Sequence, residues 1–168
     1  MRKMVLSILV DNTFGVLSRV AGLFSRRGYN IDSLTVGVTE NSNYSRMTVV
    51  VTGDEQILDQ IKKQLAKLED VREIKELPPG QSVSRELILV KVAVTPAERQ
   101  AVISIADIFR AKIVDVAADS LMIELTGNEA KLAAFIELLQ GYTIKEIART
   151  GITGLSRGAG DMGEYIDD

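Results

Sequence analysis

The sequence predicts an α+β chain made of two βαββαβ units in tandem. Three observations predict it. Apolar residues pass between strand-like alternation and helical spacing in the same order twice over. A Pro78-Pro79-Gly80 break separates the two runs. Ala21-Gly22-Leu23-Phe24 in the first run has a counterpart in Ala106-Asp107-Ile108-Phe109 of the second, as a duplication would leave.

In the first run, Val5 to Val10 reads as a buried strand. Val16, Leu17, Val20, Leu23 and Phe24 then recur at helical spacing, and Gly28 supplies a left-handed stop. Ile31 to Val38 is a strand with Leu34, Val36 and Val38 on one face. After the polar turn at Glu40 to Asn43, Arg46 to Val51 returns, with Met47, Val49 and Val51 alternating. Thr52-Gly53-Asp54-Glu55 reads as a capping box opening a helix whose face is Ile57, Leu58, Ile61, Leu65 and Leu68. Val71 to Leu77 closes the unit as an edge strand.

The second run repeats the order. Glu86 to Val94 is a strand, and Thr95-Pro96-Ala97-Glu98 caps a helix faced by Val102, Ile105, Ala106 and Phe109. Lys112 to Val116 and Leu121 to Leu125 are strands. Thr126-Gly127-Asn128-Glu129 repeats the earlier box, Leu132, Phe135, Ile136 and Leu139 line a helix, and Thr143 to Ala148 is the last strand. Each unit is therefore expected to be a ferredoxin-like sandwich, a four-stranded antiparallel sheet with two helices on one face. The expected divisions are residues 1–77, a linker at 78–84, a second domain at 85–150, and a Gly-rich tail at 151–168 whose last ten residues are expected to be mobile.

Composition narrows the chemistry. The 168 residues include no Cys and no His. The usual general base and the commonest metal ligand are therefore missing, and no Ser–His or Cys–His nucleophile can be assembled within the chain. A net charge of -3 with 5% aromatic residues and no Trp argues against nucleic-acid binding. No apolar run approaches the ~20 residues of a membrane span. The basic-then-apolar start, Met1 to Val10, lacks a small-residue cleavage site and reads as the first strand. A cytoplasmic location is expected.

The candidate site is the turn between the first strand and first helix, Val10-Asp11-Asn12-Thr13-Phe14-Gly15-Val16-Leu17, together with Gly28-Tyr29-Asn30-Ile31. A helix start carries unpaired N–H donors and partial positive charge, so it suits a carboxylate or phosphate. In the second unit that position is filled: Thr95 caps and Glu98 closes the box. In the first unit Asn12 or Thr13 is expected to cap, no acidic residue follows, and Gly15 lets another group approach the backbone. Such an element also serves in many proteins as a plain cap and turn. Asn30 reads equally as a turn residue tolerant of left-handed backbone. Asp11 and Asp32 read as solvent-facing or turn-capping, Arg26-Arg27 as complements of a helix end, and the Gly-rich run from Thr150 to Gly158 as an arm that docks on a partner.

Asp11-Asn12-x-x-Gly15-Val16-Leu17-Ser18-Arg19-Val20 and Leu23-Phe24-Ser25-Arg26-Arg27-Gly28-Tyr29-Asn30-Ile31-Asp32-Ser33-Leu34 resemble the N-terminal ACT domain of the small, regulatory subunits of acetolactate synthase. Ser45-Arg46-Met47-Thr48, Gln64-Leu65-x-Lys67-Leu68-x-Asp70-Val71, Arg85-Glu86-Leu87-x-Leu89-Val90-Lys91-Val92, Ile108-Phe109-Arg110 and Gly151-x-x-Gly154-Leu155-Ser156-Arg157-Gly158 extend the resemblance over nearly the whole chain.

The resemblance implies a chain without a catalytic site or metal of its own. Its large catalytic partner would carry thiamine diphosphate, magnesium and FAD and form acetolactate at the start of branched-chain amino acid synthesis. The small subunit would raise that transferase activity and confer feedback inhibition by valine or a related branched-chain amino acid. The resemblance further implies a homodimer through the N-terminal ACT domain. Asn12, Gly15, Val16 and Leu17 of one chain and Asn30 and Ile31 of the other would contact the effector. The alternative is a stand-alone ACT-domain amino-acid sensor with no such partner.

Overall fold

The computed structural model describes residues 1–160 and Met162. The chain forms two compact units: Met1–Val83 together with the chain from Ile152, and Ser84–Gly151.

In the first unit β1 (Arg2–Asp11) leads through α1 (Val16–Arg27) to β2 (Ile31–Val38). It continues through β3 (Tyr44–Gly53), α2 (Glu55–Ala66) and β4 (Val71–Glu76). The antiparallel sheet has the order β2-β3-β1-β4, so β2 is an edge strand. Alternation along the strands sends Met4, Leu6, Ile8 and Val10 of β1 and Met47, Val49 and Val51 of β3 into one core. Val16, Val20, Leu23 and Phe24 from α1 and Leu58, Ile61 and Leu65 from α2 close that core. Gly28 ends α1 at φ 70°, with its N–H on the Ser25 carbonyl, as its left-handed tolerance predicts. Leu34 packs on the core, but Val36 and Val38, expected beside it, stand exposed on this edge strand, which has a sheet neighbour on one side only.

The second unit repeats the path. β5 (Ser82–Ala93), whose first two residues count with the first unit, leads to α3 (Pro96–Ile108), β6 (Lys112–Ala117) and β7 (Ser120–Gly127). Then come α4 (Glu129–Leu138), a 3-10 turn (Leu139–Gly141) and β8 (Thr143–Arg149), in the sheet order β6-β7-β5-β8. Thr95 accepts from the Glu98 N–H while the Glu98 carboxylate accepts from the Thr95 N–H, so α3 has the reciprocal box its sequence predicts. Phe135 is fully buried and meets Phe109 edge-on at 5.3 Å between ring centroids. Phe135→Ala is expected to cost about 3–5 kcal/mol. Denaturant unfolding of the variant checks this, and a loss under about 1 kcal/mol would contradict the packing described.

Three local expectations need correction. The boxes read at Thr52 and Thr126 are single caps placed two residues later: Asp54 accepts from Ile57 N–H and Asn128 from Lys131 N–H. Thr52 and Thr126 are still in β3 and β7, because those strands run on to Gly53 and Gly127. The cap of α1 is Gly15, not Asn12 or Thr13, and no side chain bonds its first turn. The Gly-rich segment after Gly151 does not hang free as an arm. Ile152 donates its N–H to Ser33 Oγ at 2.9 Å and accepts from Thr35 Oγ1 at 3.2 Å. β9 (Thr153–Ser156) follows, and Arg157 N–H reaches the Gln81 carbonyl at 2.8 Å. The mobility expected of the last ten residues falls mainly on 161 and 163–168, which lie outside the described residues. No helix among the described residues is long and apolar enough to cross a membrane.

Candidate functional site

The turn from β1 to α1 is shaped by a left-handed glycine. Gly15 sits at φ 80°, ψ 2°, where an L side chain is strained. The first rung of the helical ladder is Arg19 N–H on the Gly15 carbonyl, at 3.0 Å. The N–H groups of Leu17 and Ser18 precede that ladder, and no acidic side chain occupies the first turn. The start of α1 is thus a donor-rich, uncapped end, whereas α2, α3 and α4 each have a side-chain cap and a Glu in the first turn.

The predicted residues are not equivalent in this geometry. Val16 is buried in the core, so only its backbone faces the turn, and its N–H makes a long 3.4 Å bond to the Thr13 carbonyl. Leu17 is 44% exposed and Phe14 fully exposed. Asn12 spends one amide donor on the Ser42 carbonyl at 2.9 Å and its backbone N–H on the Asn43 carbonyl. It therefore ties the turn to the β2–β3 loop rather than capping α1. Asn30 donates to Asp32 Oδ1 at 3.1 Å, and Asp32 Oδ2 accepts from Thr52 Oγ1 at 2.6 Å, which fixes the entry to β2.

Within one chain the two groups do not meet. β2 and β1 are both antiparallel to β3, so they run the same way. Ile31 pairs with Val51, level with Met4, whereas Asp11 pairs with Tyr44 at the far end of the sheet. The separation is the Met4-to-Asp11 length of β1, about 23 Å at ordinary strand rise.

Arg19 and Asp70 belong to the turn and were given no role by sequence reasoning. Arg19 Nε and Nη2 grip both oxygens of Asp70, and Nη2 also donates to the Phe14 carbonyl at 3.2 Å. A Cβ on Gly15 would stand 3.0 Å from Arg19 Nη1. The available signal was the four-residue spacing from Gly15 to Arg19, which folds the long side chain back over the helix start. Asp70 lies 51 residues away and gave no such signal. The hydrogen bond from Arg19 holds the Asp70 carboxyl below its ordinary value, and the same bond raises Arg19. A lowered folded-state pKa means that the pair stabilises the fold above the ordinary Asp range and is lost as pH falls through the lowered value. Asp70 is expected to titrate below a free Asp in a carboxyl NMR titration and to move back up in Arg19→Ala. An unchanged Asp70 in that variant would refute the pairing.

Among the described residues no three His, Cys, Asp or Glu converge on a metal-sized site. A βαββαβ unit with an open β2 edge and a donor-rich helix start beside a left-handed glycine is the architecture of an ACT-domain regulatory protein. Residues 6–73 match the AHAS small subunit-like ACT domain family, and residues 85–158 match the small subunit of acetolactate synthase. The probable acetolactate synthase small subunit of Methanothermobacter thermautotrophicus is 50% identical over 159 residues, 94% of this chain and 95% of that protein. The isozyme 3 small subunit of Salmonella typhimurium is 48% identical over 155 residues, 92% of this chain and 95% of that protein. The crystal structure of the Thermotoga maritima small subunit superposes with a TM-score of 0.86 at 41% identity, covering 95% of this chain and 99% of that one. The chain belongs to the family of acetolactate synthase small subunits, the regulatory, non-catalytic subunits of that holoenzyme in branched-chain amino acid synthesis.

Proposed function

We propose that this chain binds the large catalytic subunit of acetolactate synthase, raises its activity, and makes it sensitive to valine bound between two copies of the ACT domain. Thiamine diphosphate, magnesium and FAD belong, in this reading, to the large subunit. Asn12, Gly15, Val16 and Leu17 of one copy and Asn30 and Ile31 of the other form the effector site.

The observation that carries the reading is the separation of those two groups along one sheet. Antiparallel pairing of two β2 edges about a two-fold axis sets the start of each β2 beside the end of the other. Asn30 and Ile31 of one copy then approach the helix start of its partner. The β2 side has the surface such pairing needs: an open strand edge with Val36 and Val38 of that strand exposed. Helix-start N–H groups hold the effector carboxylate, backbone carbonyls take the ammonium, and Leu17 and Ile31 receive the isopropyl group. Discrimination from smaller amino acids rests on a few buried methyl groups at about 0.8 kcal/mol each. Leucine and isoleucine therefore compete.

Acetolactate formation by the large subunit from the same source, with and without this chain and across a valine titration, tests the reading. Activation reversed by valine is the expected result. Activation without valine sensitivity removes the effector and keeps the partner. No activation of an intact large subunit overturns the whole reading in favour of a stand-alone sensor.

A further inference from the structure

The face of the first sheet away from α1 and α2 carries a polar patch among the apolar Val5, Leu9 and Val50. Register places Thr35, Thr48, Ser7 and Lys75 in one cross-strand row, and Gly37, Arg46, Leu9 and Glu73 in the next. A groove of about 580 Å³ opens here, lined among others by Ser7, Arg46, Lys75, Ser156, Gly158 and Met162. Ser7 is completely buried. Arg46 Nη1 donates to Ser7 Oγ at 2.7 Å, and Lys75, directly across the strands from Ser7, donates to Ser156 Oγ at 3.1 Å. Two partly buried cations therefore flank one buried hydroxyl.

Their partners are poor ones for cations. Arg46 is otherwise satisfied by Met162 Sδ at 3.3 Å, which also stands 3.5 Å from Ser7 Oγ. Met162 is 4% exposed, so the thioether is packed into the groove. A thioether is a weak acceptor, whereas a guanidinium offers five donors matched to carboxylate or phosphate. Glu40 also lines the groove, and Glu73 lies in the row of Arg46 beyond Leu9. Among the described residues neither carboxylate forms an ion pair with Arg46 or Lys75. Among the described residues these two cations are held by hydroxyls and a thioether rather than by carboxylates, so their donors are open to a better acceptor in the groove.

We propose that this groove is a second binding site, for a small anion bearing carboxylate or phosphate groups, seated between Arg46 and Lys75 where Met162 Sδ now lies. The site is separate from the turn at Gly15. Its outer wall is Thr35 to Val38, the later part of β2, with Thr39 and Glu40 just beyond it, so its occupant adjoins the edge strand.

Inorganic phosphate and malonate are titrated separately into the full chain at low ionic strength, by calorimetry and by the amide NMR shifts of Gly158 and Gly160. At least one is expected to bind saturably, and comparison of the two identifies the preferred group. Arg46→Gln and Lys75→Gln are each expected to weaken it about tenfold or more, the usual loss for a charged hydrogen bond. Met162→Ala is expected to bind at least as tightly as the parent, and Gly15→Asp to bind equally. Circular dichroism checks folding, and if Arg46→Gln does not fold, Lys75→Gln carries the test. No saturable binding of either probe, or binding that survives loss of the cation, overturns the site. Loss of valine sensitivity with anion binding intact would bear only on the turn at Gly15.

Discussion

Gly15→Asp is expected to abolish the valine response of the holoenzyme while leaving activation by this chain intact. Two effects act in the same direction. Gly15 stands at φ 80°, where an L residue costs about 1–2 kcal/mol. The new carboxylate would also lie at the helix start, within reach of Arg19 and of the free N–H groups that the effector's own carboxylate needs. It satisfies those donors internally, as Thr95 does at the N-cap of α3. A shift of at least about a hundredfold in the inhibitory valine concentration corresponds to about 2.7 kcal/mol, which strain and charge together can supply. Gly15→Ala separates the two: it keeps the strain, adds no charge, and is expected to shift inhibition about tenfold. A Gly15→Asp holoenzyme inhibited normally by valine would remove the effector from this turn. The core of the first unit does not depend on Gly15, so loss of activation together with valine response would point to a misfolded turn rather than to an emptied site.

The pattern of strands and helices was legible because it is local. Period-two alternation in β3 and helical spacing in α2 are written in consecutive residues, and both fall where the sequence puts them. The site is less legible, because its parts meet through long-range bonds. That Gly15 breaks the pattern and that α1 lacks a first-turn acid are visible in sequence. That Asn12 is turned away toward Ser42 is not, because the bond spans 30 residues and depends on the β2–β3 loop. The pairing of Arg19 with Asp70 joins α1 to the approach to β4, and the docking of Ile152 on Ser33 and Thr35 joins elements more than 100 residues apart. The caps at Asp54 and Asn128 show a subtler limit. Thr-Gly-Asp-Glu contains two candidate cap residues, and the choice between them falls to how far β3 extends, which the pairing of Gly53 with Arg2 decides.

Mixing chains that carry Asn12→Ala with chains that carry Asn30→Ala is expected to restore part of a valine response that neither variant shows alone. Asn12 and Asn30 stand at opposite ends of one sheet, about 23 Å apart along the strands, too far to touch a single amino acid. If each site draws Asn12 from one copy and Asn30 from the other, each homodimer of a variant has both sites damaged. In a mixed dimer both lesions fall in one site, and the other keeps its native Asn12 and native Asn30. Random exchange makes about half the dimers mixed, so about a quarter of all sites are whole. Each Asn lost alone removes a hydrogen bond to a charged group, about 1.5–3 kcal/mol, enough to silence the site at ordinary valine concentrations. Calorimetric titration of the refolded mixture reads the number of valine sites directly, and the holoenzyme assay reads their effect. No recovery, in mixtures shown by mass spectrometry to contain mixed dimers, would mean that the two asparagines do not share a site across the β2 edge. Recovery to about a quarter of the parental sites would establish both the pairing and its direction, because parallel pairing of the same edges brings Asn30 beside its own counterpart and leaves every site broken.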